Sequence, residues 1–125
     1  MNFIKKQPPR KFVVGNSKKF YISDCGEMHL ENDEQISFKT ESGAEYDVAR
    51  KSWGFYATPS LNGRLLSFGL NAVLVVNTLI CRYYILLVED GKEDDFFEYC
   101  RDESLEVLCW LNSDERLKGL GCNDD

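Results

Sequence analysis

Residues that could recognise a ligand or a partner are concentrated in the stretch Arg50–Arg64, which reads RKSWGFYATPSLNGR. Aromatic rings can stack on a sugar or a base while neighbouring cations hold its anionic group. Tryptophan and arginine are also the residues that most often anchor protein–protein interfaces. This combination suits recognition of an anionic small molecule or of a partner protein. The candidate binding residues are Arg50, Lys51, Trp53, Phe55, Tyr56, Asn62 and Arg64.

The same stretch leaves a third interpretation open. It has neither a helical nor a strand period, which predicts a long connection, and long connections in compact domains often carry function. Trp53 and Phe55 could nevertheless fold back as core plugs, because leaving large rings in water is costly. In an enzyme acting on an anionic sugar derivative, the basic residues would bind the anion and Trp53 and Tyr56 would stack. Glu45 or Asp47 would then supply the base.

Other familiar catalytic and metal-binding patterns are missing from the sequence. The chain has one histidine, His29, and no closely spaced cysteine pair, so it lacks the usual ligand set of a zinc site. No serine lies in a GxSxG elbow, and neither GxxxxGK(S/T) nor GxGxxG occurs. The carboxylates within Glu89–Asp95 are interpreted as charges at the start of a helix, where the helix dipole favours them. We therefore predict no catalytic residue, no metal and no cofactor.

The net charge of −6 hides an asymmetry along the chain. Residues 1–23 contain six basic side chains and no acidic one, whereas the other 102 residues contain nine basic and 21 acidic side chains. Nucleic-acid-binding domains usually present a basic face over the whole domain, and the body of this chain is acidic. The charge pattern disfavours a nucleic-acid partner and predicts that the basic residues lie on the outside of a hairpin or against the acidic body.

The number and spacing of the cysteines and the length of the apolar runs indicate the cellular compartment of the protein. The odd number of cysteines and the lack of CxxC spacing favour reduced thiols in the cytosol. Pro8 and Pro9 stand where a signal peptide would have its apolar run. The longest apolar stretch, Leu79–Val88, is interrupted by Arg82 and is too short to span a bilayer. We predict a cytoplasmic protein without a membrane partner. The cysteines are Cys25, Cys81, Cys100, Cys109 and Cys122.

The hydrophobic pattern predicts an α+β fold. Gln35–Thr40 and Ala44–Ala49 alternate apolar and polar residues on either side of Ser42-Gly43, which is typical of an antiparallel hairpin. Ala72–Val76 and Arg82–Glu89 are apolar without clean alternation, which is typical of strands covered on both faces. We expect a mainly antiparallel, strongly curved sheet of about six to seven strands.

The C-terminal third predicts one principal helix, at about residues 91–103, because acidic residues begin it and Phe96, Tyr99 and Cys100 make an apolar stripe. A final strand at about residues 105–111 follows. The strand–helix–strand succession favours a right-handed crossover that sets this strand parallel to its neighbour. Residues 1–10 are predicted to be a flexible basic arm, and residues 11–125 a single α+β domain.

Three runs resemble small uncharacterised bacterial cytosolic proteins linked to gene clusters for cell-surface polysaccharide. They are Ser52–Leu65, Arg82–Glu89 and Glu106–Leu111, and the resemblance covers about residues 35–111. The resemblance implies no known activity and no catalytic residue. It implies that a small-molecule ligand would be a nucleotide sugar, or that a partner would be a biosynthetic enzyme.

The sequence therefore predicts a non-catalytic cytosolic binding or accessory protein whose contact surface is the loop 50–64. The partner would be another protein or a second copy of the chain. The alternative is a small enzyme or binding protein that acts on an anionic sugar derivative such as a nucleotide sugar.

Overall fold

The computed structural model describes residues 1–122 and shows an α+β fold in which about half of the chain is β-strand. Eight strands of these residues form three small antiparallel sheets, of two, three and three strands. One short helix lies between the second and third sheets, a longer one connects two strands of the third sheet, and a short one follows the last strand. The predicted single curved sheet is therefore wrong, although its antiparallel character is confirmed. The elements are β1 Asn2–Val14, β2 Phe20–His29, β3 Gln35–Lys39, β4 Glu45–Lys51, β5 Gly54–Ala57, α1 Arg64–Ser67, β6 Leu70–Asn77, β7 Arg82–Glu89, α2 Glu93–Glu103, β8 Leu105–Trp110 and α3 Asp114–Lys118.

Strands β1 and β2 form a two-stranded ribbon at the start of the chain. Residues 2–10, which the sequence assigned to a flexible arm, lie in β1, with Asn2 opposite His29 and Lys5 opposite Gly26. The register shifts between Lys5 and Arg10, which is where the two prolines stand. Proline is tolerated in a strand at such a bulge or along an edge, since its missing N–H is not needed there. The prolines therefore interrupt the pairing without ending the strand.

The turn of the ribbon is attached to the C-terminal end of α2. The Asn16 backbone N–H donates to Glu103 Oε2 at 2.9 Å, and Ser17 Oγ donates to the Asp102 carbonyl at 2.9 Å. Lys18 Nζ lies 3.5 Å from carboxylate oxygens of both Glu98 and Asp102, and these carboxylates raise the pKa of the lysine. The basic start of the chain is thus turned partly towards the acidic body, which is one of the two arrangements predicted from its charge.

Strands β3, β4 and β5 form the second sheet. The predicted hairpin is present, with Ile36 opposite Val48 and Phe38 opposite Tyr46. The predicted irregular loop 50–64 is partly regular, because β4 continues to Lys51 and β5 pairs back onto it. Gly54 has φ 145°, a conformation that a residue with a side chain rarely adopts, and this allows the chain to reverse after Trp53.

Strands β7, β6 and β8 form the third sheet in that order, and both outer strands run antiparallel to β6. The predicted parallel neighbour for the final strand is therefore wrong. After β7 the chain crosses the sheet through α2, the longest helix of the described residues, and pairs β8 with the far side of β6. The crossover brings β8 into the same direction as β7, but β6 lies between them.

Two apolar clusters hold the sheets and helices together. On one face of the third sheet, α2 packs its Phe96 and Cys100 against Val73, Val75 and Val88. The second cluster joins the second and third sheets and consists of Ala44, Leu65, Leu70 and Ala72, with Tyr46 and Leu111 packed against it. Burial raises the pKa of the Cys100 thiol, which keeps it protonated and inert.

A polar contact also joins the second sheet to the end of β7. The carboxylate of Glu89 accepts hydrogen bonds from Ser42 Oγ at 2.6 Å and from Thr40 Oγ1, and these bonds hold the pKa of Glu89 below its usual value. A carboxyl with a lowered pKa stabilises the fold above its unfolded-state pKa, about 4.3 for glutamate, and the stabilisation is lost as the pH falls through the folded-state value.

We therefore expect Ser42→Ala to raise the pKa of Glu89, measured by NMR titration. The variant should be less stable than wild type at neutral pH, and the difference should shrink as the pH falls through the folded-state pKa of Glu89. Ser67→Ala is the control, because Ser67 Oγ donates to the Arg64 carbonyl 2.8 Å away, within its own helix. A Glu89 pKa that is the same in wild type and Ser42→Ala would contradict this assignment.

Candidate functional site

The aromatic residues of the candidate stretch lie on the hairpin formed by β4 and β5. Trp53 in the turn is 70% exposed, Phe55 is 66% exposed and Tyr56 is 50% exposed. The core-plug interpretation of Trp53 and Phe55 is therefore wrong. The hairpin presents three large rings to solvent, and alternation along β5 sends Phe55 and Tyr56 to opposite faces of the sheet.

The three cations of the stretch are occupied by acceptors within the chain. Arg50 Nη1 donates to the Leu30 carbonyl at 3.1 Å, and Lys51 forms an ion pair with Asp33. Arg64 Nη2 donates to Thr58 Oγ1 at 3.0 Å, and the guanidinium also stacks over the Phe68 ring at 5.3 Å. Each of the three predicted basic residues therefore has a different acceptor within the chain.

Asn62 and the predicted carboxylate bases also have internal partners. Asn62 Nδ2 donates to Asp114 Oδ1 at 2.6 Å, which ties the stretch to α3. Asp47 is buried, accepts a hydrogen bond from Ser37 Oγ at 2.6 Å, and lies 3.5 Å from Arg64 Nη2. Glu45 pairs with Lys39 at 3.2 Å. These contacts tie the end of the stretch to α3 and to β4, and they give each of the two carboxylates a partner within the chain.

An apolar groove of about 340 Å³ lies on one face of the second sheet, beside the end of the ribbon. Phe38 is 55% exposed along it, and Phe55 forms part of the same wall. The alternation along β3 placed Phe38 on the apolar face of the strand. A strand pattern does not tell whether that face meets the core or solvent. The lining residues are Met28, Leu30, Ile36, Phe38, Val48 and Phe55, which we call the aromatic groove.

Three further findings concern metal ions, buried polar groups and membrane-spanning helices. Within residues 1–122, no three His, Cys, Asp or Glu side chains are grouped so that they could bind a metal ion. No buried side-chain nitrogen or oxygen of the described residues lacks a hydrogen-bond partner, so none points to a missing polar ligand. In the same residues, no helix has the length and apolar character needed to cross a membrane.

Comparison with known proteins finds no matching family model, no matching curated protein and no matching solved structure. The functional argument for this chain therefore depends on its own residues and their geometry.

Proposed function

We propose that the chain is a non-catalytic, cytoplasmic accessory protein that binds a partner protein through the β4–β5 hairpin and the aromatic groove beside it. The observation that carries the proposal is the exposure of Phe38 and Phe55 along the aromatic groove, together with that of Trp53 in the turn that precedes β5. Contiguous exposed apolar surface on a soluble protein is typical of an interaction site.

The composition of this surface favours a protein partner. The few residues that dominate an interface, among which aromatic side chains are enriched, each cost about 2 kcal/mol or more when truncated, roughly a thirtyfold change in the dissociation constant. Because Arg50 and Lys51 already have internal acceptors, the surface offers apolar rings in preference to free charge. We therefore propose that the partner presents an apolar segment that fills the groove and covers Trp53.

The cytoplasmic location in this proposal is supported by the cysteines. All five are free, and Cys25, Cys81 and Cys122 are exposed without being paired. Unpaired exposed thiols suit a reducing compartment.

The alternative, binding or conversion of an anionic sugar derivative, has weaker support from the geometry. It needs the cations to converge beside the stacking rings, and Arg64 is engaged with Thr58 while Lys51 is engaged with Asp33. A thermal shift of the protein by UDP-glucose that is lost in Arg64→Ala would favour this alternative over the proposed partner protein.

The experiment that tests the proposal is affinity enrichment from an extract of the cells that make the protein, followed by measurement of binding between the purified pair. We expect Trp53→Ser and Phe55→Ser each to weaken the dissociation constant by roughly thirtyfold, since each removes a ring that the partner would bury. Both side chains are mostly exposed, so both variants should keep the wild-type melting temperature.

Tyr21→Ser is the matched control, because Tyr21 is an aromatic strand residue that is 73% exposed on the ribbon, away from the groove. It should leave the affinity unchanged. The proposal fails if no purified protein binds, or if the affinity for the bound protein is the same in wild type, Trp53→Ser and Phe55→Ser.

A further inference from the structure

Strand β7 is one edge of the third sheet, and no strand of residues 1–122 pairs with its outer side. It pairs with β6 without a register shift, from Arg82 opposite Asn77 to Glu89 opposite Leu70. Proteins commonly protect a free edge with a bulge, a proline or a charged side chain. The opposite edge, β8, has a register shift and carries Glu106, whereas the six residues between Arg82 and Glu89 include neither a proline nor a charge. The edge of β7 is therefore regular and open to pairing with a further strand.

The hydrogen-bond ladder shows which backbone groups of β7 point away from β6. At the end of β7, the Asp90 N–H donates to the Gly69 carbonyl at 2.9 Å. Along an antiparallel pair, residues whose backbone groups face the partner strand alternate with residues whose groups face away from it. Counted back from Asp90, every second residue therefore faces β6, and the N–H and carbonyl groups of Tyr83, Ile85 and Leu87 point outwards. Within residues 1–122, none of these outward groups makes a backbone hydrogen bond.

A groove runs along this edge, between β7 and α2. Two hollows of about 430 and 230 Å³ follow each other along it, and Leu86 and Tyr99 line both of them. Val88 and Phe96 line the larger hollow, and Tyr84 lines the smaller one. A segment that pairs with β7 would turn every second side chain towards α2, over these hollows. We call these five residues the edge groove.

The charges along the edge groove favour a basic segment. Three carboxylates line its hollows, and Lys92 is the one cation among the lining residues. Lys92 lies near Glu89, so these two charges offset each other. Glu103 accepts a hydrogen bond from the turn of the ribbon. Asp95 is exposed beside the larger hollow and has no ion pair or side-chain hydrogen bond within residues 1–122. A cation on an incoming segment can therefore pair with Asp95.

A second copy of the chain suits this edge less well. Antiparallel pairing of β7 with β7 gives opposed residues a common face, so the α2 helices of both copies would lie on the same side of the joined sheet. Within Glu93–Glu103, α2 has six acidic residues and one basic residue. Two such helices repel each other across the groove, whereas a basic segment is attracted. The charges therefore favour a strand from a different protein.

We infer that an extended segment of another protein binds at the edge groove as an added strand beside β7. Its apolar side chains at alternate positions fill the two hollows, and a lysine or arginine pairs with Asp95. Main-chain hydrogen bonds to Tyr83, Ile85 and Leu87 supply affinity, and the hollows supply specificity. The aromatic groove lies on the second sheet, so this binding mode and the proposed function can each fail without the other.

The test uses a phage-displayed library of random peptides, selected on the full chain carrying Phe55→Ser so that the aromatic groove is weakened. We expect the selected peptides to alternate apolar with other residues and to contain lysine or arginine. One selected peptide is then synthesised with N-methyl groups on either of its two sets of alternate residues. One methylated form should bind at least about tenfold more weakly and the other as tightly as the parent peptide, because only alternate N–H groups of an added strand donate to the edge.

Variants of Ile85 locate the peptide at the edge of β7. Ile85→Pro removes an outward N–H and should weaken binding by about tenfold, and proline is tolerated at such an edge position. The Ile85 side chain is 56% exposed on the face away from α2, so the cover that the sequence predicts on both faces is missing there. Ile85→Thr is the matched control, because it keeps the N–H and changes only this exposed side chain. It should bind as wild type does.

Variants of α2 test the charge of the bound segment. Asp95→Asn should weaken the binding of a basic peptide by up to about fivefold, since it removes one exposed ion pair. Asp94→Asn is the matched control, because Asp94 is exposed in the same helical turn but does not line the hollows. It should leave the affinity unchanged.

Each other outcome overturns the inference. A library that yields no binding peptide, or equal binding by the two methylated forms, shows that no strand is added to the sheet. A peptide that binds Ile85→Pro as tightly as Ile85→Thr uses another surface. Equal affinity for Asp95→Asn and wild type removes the basic residue from the inferred segment. Circular dichroism verifies that each variant is folded, and the methylated peptides test the edge without altering it.

Discussion

Replacing Phe96 with alanine is expected to lower the free energy of unfolding by about 3 to 5 kcal/mol. Phe96 is 9% exposed and joins α2 to Val73, Val75 and Val88, with its ring centroid 5.8 Å from that of Trp110 in an edge-to-face arrangement. Removing the ring deletes this contact and leaves a cavity that the strands can fill only in part. Urea unfolding followed by circular dichroism measures the loss.

The adjacent residue provides the matched control for Phe96. Phe97 is 40% exposed on the same helix. Phe97→Ala therefore removes the same atoms as Phe96→Ala, but the ring that it removes buries much less apolar area in the wild-type protein. We expect it to cost about 1 kcal/mol, in proportion to the smaller area withdrawn from water. Equal losses for Phe96→Ala and Phe97→Ala would contradict the orientation of α2 on the third sheet.

The second large effect is expected for Leu65→Ala, at about 3 kcal/mol. Leu65 in α1 is 0% exposed and packs with Ala44, Leu70 and Ala72 where the second and third sheets meet. The residue therefore holds the sheet that carries the aromatic groove against the rest of the protein. Chemical denaturation followed by tyrosine and tryptophan fluorescence measures the change in unfolding free energy.

Leu120→Ala is the control for Leu65, because Leu120 is 77% exposed and should be nearly neutral. A Leu65→Ala variant as stable as Leu120→Ala would show that the two sheets are not joined through this cluster.

Local pairing could be predicted from the sequence, while pairing between distant segments could not. The alternation around Ser42-Gly43 predicted the β3–β4 hairpin, whose register the structure confirms from Gln35 opposite Ala49 to Lys39 opposite Glu45. The strand that β8 pairs with could not be predicted in this way, because the chain between β7 and β8 has the same local pattern whichever side of β6 it reaches. Only the packing of α2 across the sheet decides that choice.

The start of the chain shows how a strong local signal can mislead. Pro8-Pro9 is typical of a break in secondary structure, and it led to the prediction of an arm. In the structure these residues lie in β1 at a register shift, where the partner strand needs no N–H from them. Pairing on both sides of the shift, at Lys5 with Gly26 and at Arg10 with Asp24, keeps the segment in the ribbon.

The candidate site was recognised by composition, but its internal contacts were not foreseeable. Arg50, Lys51 and Arg64 are close in sequence, and their acceptors include the Leu30 carbonyl, Asp33 and Thr58. No local pattern predicts that a cation will be used inside the fold, since this depends on which turns the sheet brings beside it. The aromatic residues have no such partners in their own hairpin, and for this reason the proposed function depends on them.

The most direct test of the proposed function is site-specific photo-crosslinking in the cells that make the protein. A photoreactive phenylalanine analogue is placed at Phe38, at Phe55 or at the control position Tyr21, all exposed aromatic residues of strands. We predict that light gives one covalent adduct with the same other protein at Phe38 and Phe55, and none with that protein at Tyr21. Adducts absent from Phe38 and Phe55, or the same adduct from all three positions, would contradict a partner bound in the aromatic groove.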